Sequence, residues 1–434
     1  TSIGFRPAPT GVVDEQRHEG GSVKSDPGVG QPPYADAVRL AVYCDYSYQL
    51  AEDGIRAELP FALFVQGLAA HVAKLTLLGR LREDTAPRLP FAVDQAELVA
   101  LPHYHSGAHI AAVLRAFPAS LARFWSALAQ LDVVWVLGPN PPQALAFALA
   151  TVVRRRRLVL GVRQDLPRLI RHRHPSRPSL WLYATLLEGA FRLLARRVPV
   201  VVVGPELARR YRRARAVHVA YVSLLRERRL QRPRPKPPDW GAGELHLLSV
   251  GRLDPEKNPL ALVDVLEQAL RIDRRWRLHI CGEGSMRGAL EARLRQRGLA
   301  DRAVLHGYVP IEDGLWELYE RAHALLHVSH TEGVPQVLLE AFAAGLPVVA
   351  TDVGGVRALV AGRGLLFAAG DAAGAAAALA RLAADEQLRA TLTARALQTA
   401  RDHTLEAECA RLADFLGLTG RSARQAARAP STKR

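Results

Sequence analysis

Four short clusters in the second half of the chain carry residue types suited to phosphate and sugar hydroxyls, each just past an apolar run. The first is Ser249-Val-Gly-Arg-Leu-Asp-Pro-Glu-Lys-Asn258. Gly251 permits a sharp turn, and Arg252 and Lys257 stand five apart around a proline. Ligands of an open α/β sheet sit beyond the carboxyl ends of its strands, so both cations are expected in the crevice. Fixed cations there stabilise charge that develops on a diphosphate leaving group, arginine as a fork and lysine as a point charge. Only Lys24, Lys74, Lys236, Lys257 and Lys433 are lysines among 58 basic residues, which makes a lysine at this turn suggestive. The plain alternative is an arginine and a lysine on an exposed turn.

Cys281-Gly-Glu-Gly284 and His306-Gly-Tyr-Val-Pro310 occupy equivalent positions after two further runs. Gly282 and Gly284 allow close backbone approach to a ligand, and backbone groups around Tyr308 could pair with a base edge. Read alone, the first is an ordinary strand-to-helix turn and the second a loop with a packed tyrosine. The fourth cluster runs from Ser329 through Glu332-Gly-Val-Pro-Gln-Val337 and Glu340 to Gly345-Leu-Pro-Val-Val-Ala350. A helix is expected from Pro335, a residue suited to the first turn, to Gly345, a typical C-terminal cap. Its free amides around Val334–Val337 make a ready phosphate site, and Gly333, Val334, Pro335, Gln336 and Val337 are expected at the donor. Glu332 belongs to the preceding loop and Glu340 to the second turn. One carboxylate could take sugar hydroxyls and the other a ribose diol, since a carboxylate can accept from two vicinal hydroxyls.

These clusters need strands behind them. β-type apolar runs alternate with helical patterns along the whole chain, which argues α/β with parallel sheets. Strands are expected at Arg39–Asp45, Leu98–Leu101, Asp132–Leu137, Leu158–Val162 and Val198–Val203. A loop with Gly54, a long helix from about Pro60 to Leu78, a helix ending near Val153 and another opening at Gly204 lie between or after them. Arg226–Asp239, rich in Arg and Pro, reads as a linker that continues neither a helix nor a central strand. Strands then recur at Leu245–Val250, Trp276–Cys281, Ala303–Leu305, Ala324–Val328, Pro347–Ala350 and Gly364–Phe367, followed by helical sequence to about Leu418. The expected division is a disordered leader (1–37), an N-terminal domain (38–225), a linker (226–243), a C-terminal domain (244–400), a C-terminal helix (401–420) and a basic tail (421–434).

A chain of 434 residues is long for one core, and 49% hydrophobic content excludes a mainly disordered chain. No run spans a bilayer, and the N-terminus has no basic-then-apolar signal pattern. Cys44, Cys281 and Cys409 are far apart and lack metal spacing, so buried free thiols in a reducing compartment are expected. The net charge of +16 favours anionic partners. The runs Arg154–Arg157, Arg209–Arg215 and Arg226–Arg234 could meet an anionic membrane face or be solvated arginines of a biased composition. Aromatics do not interleave with them, so no nucleic-acid partner is expected.

The stretch Leu245–Phe367 resembles the donor domain of the glycosyl transferases group 1 family. The resemblance rests on Gly251-Arg252, Pro255-Glu-Lys-Asn258, Gly282-Glu-Gly284, Gly307-Tyr-Val309 and the Glu332/Glu340 pair running on to Ala350. It implies a GT-B fold, two facing Rossmann-like domains with a cleft between them, and retaining chemistry. It assigns Arg252 and Lys257 to the donor diphosphate, Glu332 to the donor sugar and Glu340 to the ribose. The first half resembles the family only in layout. Where family members commonly carry a histidine after the strand Leu158–Val162, this chain reads Gly161-Val-Arg-Gln-Asp165, and Arg163 takes the place. An arginine cannot serve as a base at neutral pH, though it can bind phosphate or acceptor. Gly54 is the candidate for an acceptor-side glycine loop, and His103, His105 and His109 cluster before a helix. No two aspartates are separated by one residue, so the metal-gripping DxD pattern is missing and a metal-independent site with no cofactor is expected.

The resulting expectation is transfer of a hexosyl-type unit from a nucleotide-diphosphate sugar to a sugar or lipid-linked acceptor, in polysaccharide or glycolipid synthesis. Glu332, Arg252, Lys257 and Arg163 would be the catalytic group, in the cytoplasm or at the inner membrane face. The rival readings are another GT-B enzyme (an epimerase or a phosphorylase) and an inactive nucleotide-sugar-binding protein.

Overall fold

The computed structural model describes residues 38–418 except 53, 83–88, 90, 105–109 and 234–236. The expected leader and basic tail, and His105 and His109, lie outside the described residues. Nine strands form the first sheet: β1 (Arg39–Ala51), β2 (Gly54–Ala57), β3 (Lys74–Leu81), β4 (Phe91–Val93), β5 (Glu97–Leu101), β6 (Val133–Gly138), β7 (Arg157–Val162), β8 (Pro199–Val203) and β9 (Ala216–Ala220). The order β5-β3-β1-β6-β7-β8-β9 is parallel throughout, and β2 and β4 add an antiparallel flap to the far end of β1. The helices of this half are α1 (Phe61–Gln66), α2 (Ile110–Ala127), α3 (Gln143–Val153), α4 (Leu166–Arg173), α5 (Pro178–Ala195) and α6 (Pro205–Arg210).

Strand periodicity sorts the core. Val134, Val136, Val200 and Val202 face a layer holding Phe124 of α2, Phe147 of α3 and Phe191 of α5. Their neighbours Val133, Trp135, Val201 and Val203 face the opposite side, against Phe61 and Phe64 of α1.

Two expectations fail here. The first strand does not stop at Asp45; it runs to Ala51 and turns into β2, so Gly54 sits in a hairpin paired with Ala51. The long helix from Pro60 to Leu78 is also absent. α1 ends at Gln66, a 3₁₀ segment follows to His71, and Leu75–Leu78 belongs to β3. β3 is flanked by β1 and β5 and buried on both faces, so Leu75, Leu77 and Leu78 all face protein and the apolar/polar alternation of a half-buried strand is missing.

After the short α7 (Glu227–Leu230), which puts one helical turn inside the expected linker, a second sheet begins. Its strands are β10 (Leu245–Val250), β11 (Trp276–Cys281), β12 (Ala303–Gly307), β13 (Ala324–His327), β14 (Val348–Thr351) and β15 (Leu365–Phe367), all parallel in the order β12-β11-β10-β13-β14-β15. One face carries Leu262 and Leu266 of α8 (Ala261–Ile272), Leu290 of α9 (Arg287–Gln296) and Leu379 of α13 (Ala372–Ala384). The other carries Trp316 of α10 (Trp316–Arg321), Phe342 of α11 (Gln336–Ala344) and Val356 of α12 (Gly354–Val360). α14 (Glu386–Asp402) then leads back across the molecule. α15 (Leu405–Phe415) packs Leu405, Cys409 and Leu412 against the first sheet, so the C-terminal helix completes the N-terminal half. All three cysteines are free and buried. The molecule is α/β, built as two Rossmann-like units with parallel sheets.

Candidate functional site

The carboxyl ends of β7 and β8 face those of β10 and β13, and the loops leaving them meet. Beyond β10, Pro255–Lys257 forms a 3₁₀ turn closed by Asn258 in the left-handed conformation, φ 54°. The Glu256 carbonyl accepts from His330 N at 3.0 Å, and Asn258 Nδ2 donates to Val328 O at 3.4 Å. These bonds staple the lysine loop to the loop after β13. Lys257 Nζ reaches Glu332 Oε1 at 2.5 Å, and the buried His327 brings Nε2 to 3.2 Å from the same oxygen. Burial alone would raise the Glu332 carboxyl, but the Lys257 ammonium and the His327 imidazole outweigh it and hold it well below the usual carboxylate range.

Arg163, Gln164, Arg252, Lys257, Glu332 and Gly333 line one cavity of about 150 Å³ between the two halves. Its other cations are answered by carboxylates. Arg168 faces Glu206 at 3.6 Å, Arg210 faces Asp165 at 2.5 Å and Arg252 faces Glu256 at 3.0 Å as well as Asp254. Among the described residues, Arg163 has no carboxylate partner. Its guanidinium lies 4.3 Å from the centre of the Phe61 ring, and burial pushes its pKa down, though an arginine remains charged at neutral pH. Arg163 therefore brings to the cavity wall a cation that no carboxylate neutralises.

The remaining expected residues fall into three groups. Gly251, Gly282 and Gly284 hold the loops together. Gly251 N donates to Cys281 O and Gly282 N to Gly307 O. A β-carbon on Gly282, at φ +144°, would lie 1.9 Å from the Gly251 carbonyl oxygen. Val334, Pro335, Gln336 and Val337 open α11, which ends at the left-handed Gly345 as expected. Glu340 lies farther along α11, off the cavity wall, where Tyr319 Oη donates to Oε2 at 2.8 Å and burial raises its pKa. Tyr308 is exposed beyond β12. Gly54 and the half-buried His103 do not line the cavity.

Several residues of the site escaped the sequence reading. Gly354-Gly355 opens α12 directly against the glutamate loop: a β-carbon on Gly355 would stand 1.6 Å from Gly333 O, and one on Gly354 2.1 Å from Glu332 O. The signal was there, a glycine pair after a strand, but nothing local says what it must approach. Glu256 is shared by Arg252 and by Arg173 of α4, the latter at 2.7 Å, and so bridges the halves. At the carboxyl edge of the first sheet, Gln143 Nε2 donates to Tyr43 Oη (2.8 Å) and Tyr104 Oη (2.6 Å), with Asp45 held between Gln143 and Arg80.

Residues 234–399 match the model of the family described as glycosyl transferases group 1. The chain carries a glycosyl transferases group 1 domain. That domain holds Arg252, Lys257, Glu332 and Glu340, whereas Arg163 comes from the other half. Over 134 residues the chain is 35% identical to the lipopolysaccharide 1,6-galactosyltransferase of Escherichia coli K12, covering 29% of this chain and 36% of that protein. Over 162 residues it is 37% identical to the D-inositol 3-phosphate glycosyltransferase of Frankia alni, covering 35% and 40%. The chain thus matches well under half the length of these curated relatives. Likeness to solved structures extends over both halves. A complex of Anabaena HepE with UDP aligns with 88% of this chain and 100% of its own, at TM-score 0.65 and 16% identity. Sucrose-phosphate synthase from Thermosynechococcus elongatus aligns with 90% and 100%, at TM-score 0.67 and 17% identity. The glycosyl transferases group 1 domain and its N-terminal partner together form the GT-B fold.

Proposed function

We propose that the protein is a retaining glycosyltransferase that moves a hexosyl unit from a nucleotide-diphosphate sugar to an acceptor hydroxyl in glycan or glycolipid synthesis. The observation that carries this reading is the convergence of Arg163, Arg252, Lys257 and Glu332 on one cavity between the carboxyl ends of two parallel sheets. The relatives support the class: both curated proteins are sugar transferases by name, and Anabaena HepE has been crystallised with UDP and glucose. As the bond between sugar and diphosphate breaks, Arg252, Lys257 and Arg163 would meet the growing negative charge. The amides opening α11 would take a phosphate oxygen. Four positive elements at one place would serve without a divalent ion. Glu332 would accept from sugar hydroxyls, and Glu340, once released from Tyr319, from the ribose. The acceptor would bind the N-terminal half, with the cleft closing over both.

A thermal-shift screen over UDP-, GDP- and ADP-sugars names the donor, and release of free nucleotide diphosphate is then followed with candidate acceptors. Acceptor-dependent release is expected. Arg163, which stands where a base would be useful, favours one second reading, a nucleotide-sugar-binding protein without transfer. Tight donor binding with no release under any acceptor would establish that instead.

A further inference from the structure

Thirteen large hydrophobic side chains stand exposed among the described residues, and seven of them belong to two neighbouring helices of the N-terminal half. On α3 these are Leu149, Val152 and Val153, spaced i, i+3, i+4 along one face. On α5 they are Leu182, Tyr183, Leu186 and Leu193, with Leu186 64% exposed. Both helices press their opposite faces onto the same side of the first sheet, through Phe147 and Phe191. Leu145 of α3 packs against Ala184 and Leu187 of α5. The two apolar stripes therefore lie side by side on the outside of the domain. An apolar patch shared between elements and rimmed by charge marks a contact surface.

The charge around it has one sign. Residues 143–197 carry twelve arginines, three of them (Arg163, Arg168 and Arg173) at the cleft, no lysine and two carboxylates. Both carboxylates are engaged: Asp165 lies 2.5 Å and Glu188 3.3 Å from Arg210. At the carboxyl end of α5, Arg192, Arg196 and Arg213 surround an open cavity of about 360 Å³ over Gly189. Among the described residues none of the three makes an ion pair. Arg192 acts on the buried Glu188 only at a distance. A side chain at Gly189 would meet nothing within 4 Å.

We propose that the α3–α5 face docks on an anionic lipid bilayer, with the leucine stripe entering the interface and the Arg192–Arg196–Arg213 cavity receiving a phospholipid headgroup phosphate. Charge complementarity selects this occupant. A nucleic-acid backbone would satisfy the arginines but leave the leucines against water. A second copy of the chain would set one arginine field against another. A bilayer with anionic headgroups takes both parts at once. No helix among the described residues is long and apolar enough to cross a membrane, and the docking proposed is of this face alone. It does not depend on the transfer reading above.

The test is co-sedimentation of the full chain with vesicles of phosphatidylcholine alone and of phosphatidylcholine mixed with phosphatidylglycerol. Binding only to the mixed vesicles is expected, weakening as salt is added. The triple variant Leu182→Ser, Leu186→Ser, Leu193→Ser and the single variant Gly189→Glu, which sets a carboxylate in the arginine cavity without displacing anything, should each bind at least tenfold more weakly. Thermal melts identical to the parent's show that both are folded. Equal binding to the two vesicle types, binding unchanged in both variants, or displacement of the protein from vesicles by a DNA duplex would each overturn the proposal.

Discussion

Lys257 and Glu332 neutralise each other at 2.5 Å inside the cleft, and the ammonium helps keep the buried carboxyl ionised. Replacing Lys257 by alanine leaves a nearly buried carboxylate with the His327 contact alone. Breaking such a pair from one side costs about 3 kcal/mol at neutral pH. The pH dependence should change sign. In the parent the carboxyl titrates below its ordinary value, so its contribution is full above that value and fades as acid is added. In Lys257→Ala, burial would hold the carboxyl above its ordinary value, and the folded state would gain stability as pH falls to about 5. Melting curves across that range check this, and parallel curves for the two proteins would contradict it. Donor affinity should drop by about tenfold, roughly 1.4 kcal/mol. Gly355 makes a second prediction at this scale. Its missing side chain lets the Gly333 carbonyl sit where a β-carbon would be 1.6 Å away. Gly355→Ala should displace the glutamate loop and weaken donor binding at least as much as Lys257→Ala, while Gly288→Ala on α9, where a β-carbon meets nothing within 4 Å, should leave affinity unchanged and the melting temperature equal or slightly raised. Equal affinities for the two glycine variants would count against a positioning role for Gly355.

Among elements, neighbouring strands carry an unused row of histidines. His246 of β10, His279 of β11 and His306 of β12 are linked through their rings, Nδ1 to Nε2, at 3.1 and 3.0 Å. Neutral rings can satisfy both contacts by donating in one direction along the row. One added proton on the central ring still donates both ways, but a second forces two N–H groups to face each other. Burial, reinforced by neighbouring positive charge, lowers His279 to about 3 and His246 to about 4. The unfolded chain then binds more protons than the folded one below about pH 6.5, and stability is lost as pH falls from there. His279→Gln should flatten the fall in melting temperature between about pH 6.5 and pH 5. The same slope in parent and variant would remove the row as the cause. Strands of this second sheet were readable because each is a short apolar run, with Gly251, Gly282 and Gly307 ending β10, β11 and β12 and Pro347 and Gly364 preceding β14 and β15, and Pro335 and Gly345 bracketed α11. In the first half the reading failed at β3, where burial on both faces erases the alternation that distinguishes a strand. It failed again at the β1–β2 hairpin, whose pairing is set by tertiary neighbours. Arg252, Lys257 and Glu332 could be brought together on paper because strand ends share one edge of a parallel sheet. Arg173, Gly204 and Gly355 could not, since their partners lie on other elements and no local pattern announces the approach.

At the scale of the molecule, the chain passes between the halves twice, near residue 225 and again near residue 403, and the two passages are tied to each other. Leu405 N donates to Leu225 O at 2.7 Å, and the rings of Tyr221 and His403 stack at 4.0 Å. Glu408, 1% exposed, gathers the ends: it accepts from Tyr221 N at 3.3 Å, from Arg411 Nη2 at 2.5 Å and meets His403 Nδ1 at 2.5 Å. Across the cleft the halves touch through Arg173–Glu256 and through Gly204 against the Gly333 loop. Any opening of the cleft must break the second set of contacts while pivoting on the first, because only the first set is covalently continuous with both halves. The two sets should therefore respond differently to substitution. Arg173→Ala removes a partly exposed ion pair, should cost under about 1 kcal/mol of stability, and should favour the open form, seen as a larger radius of gyration in solution scattering. Glu408→Ala strips three donors of a buried acceptor and should cost about 3 kcal/mol, lowering the melting temperature by several degrees or more. Its donor affinity, measured below the melt, should stay close to the parent's, because no residue of the knot lines the cavity between the halves. A Glu408→Ala protein as stable as its parent would mean that the two passages hold together without the carboxylate, and the pivot would have to be sought in the apolar packing of α15 instead.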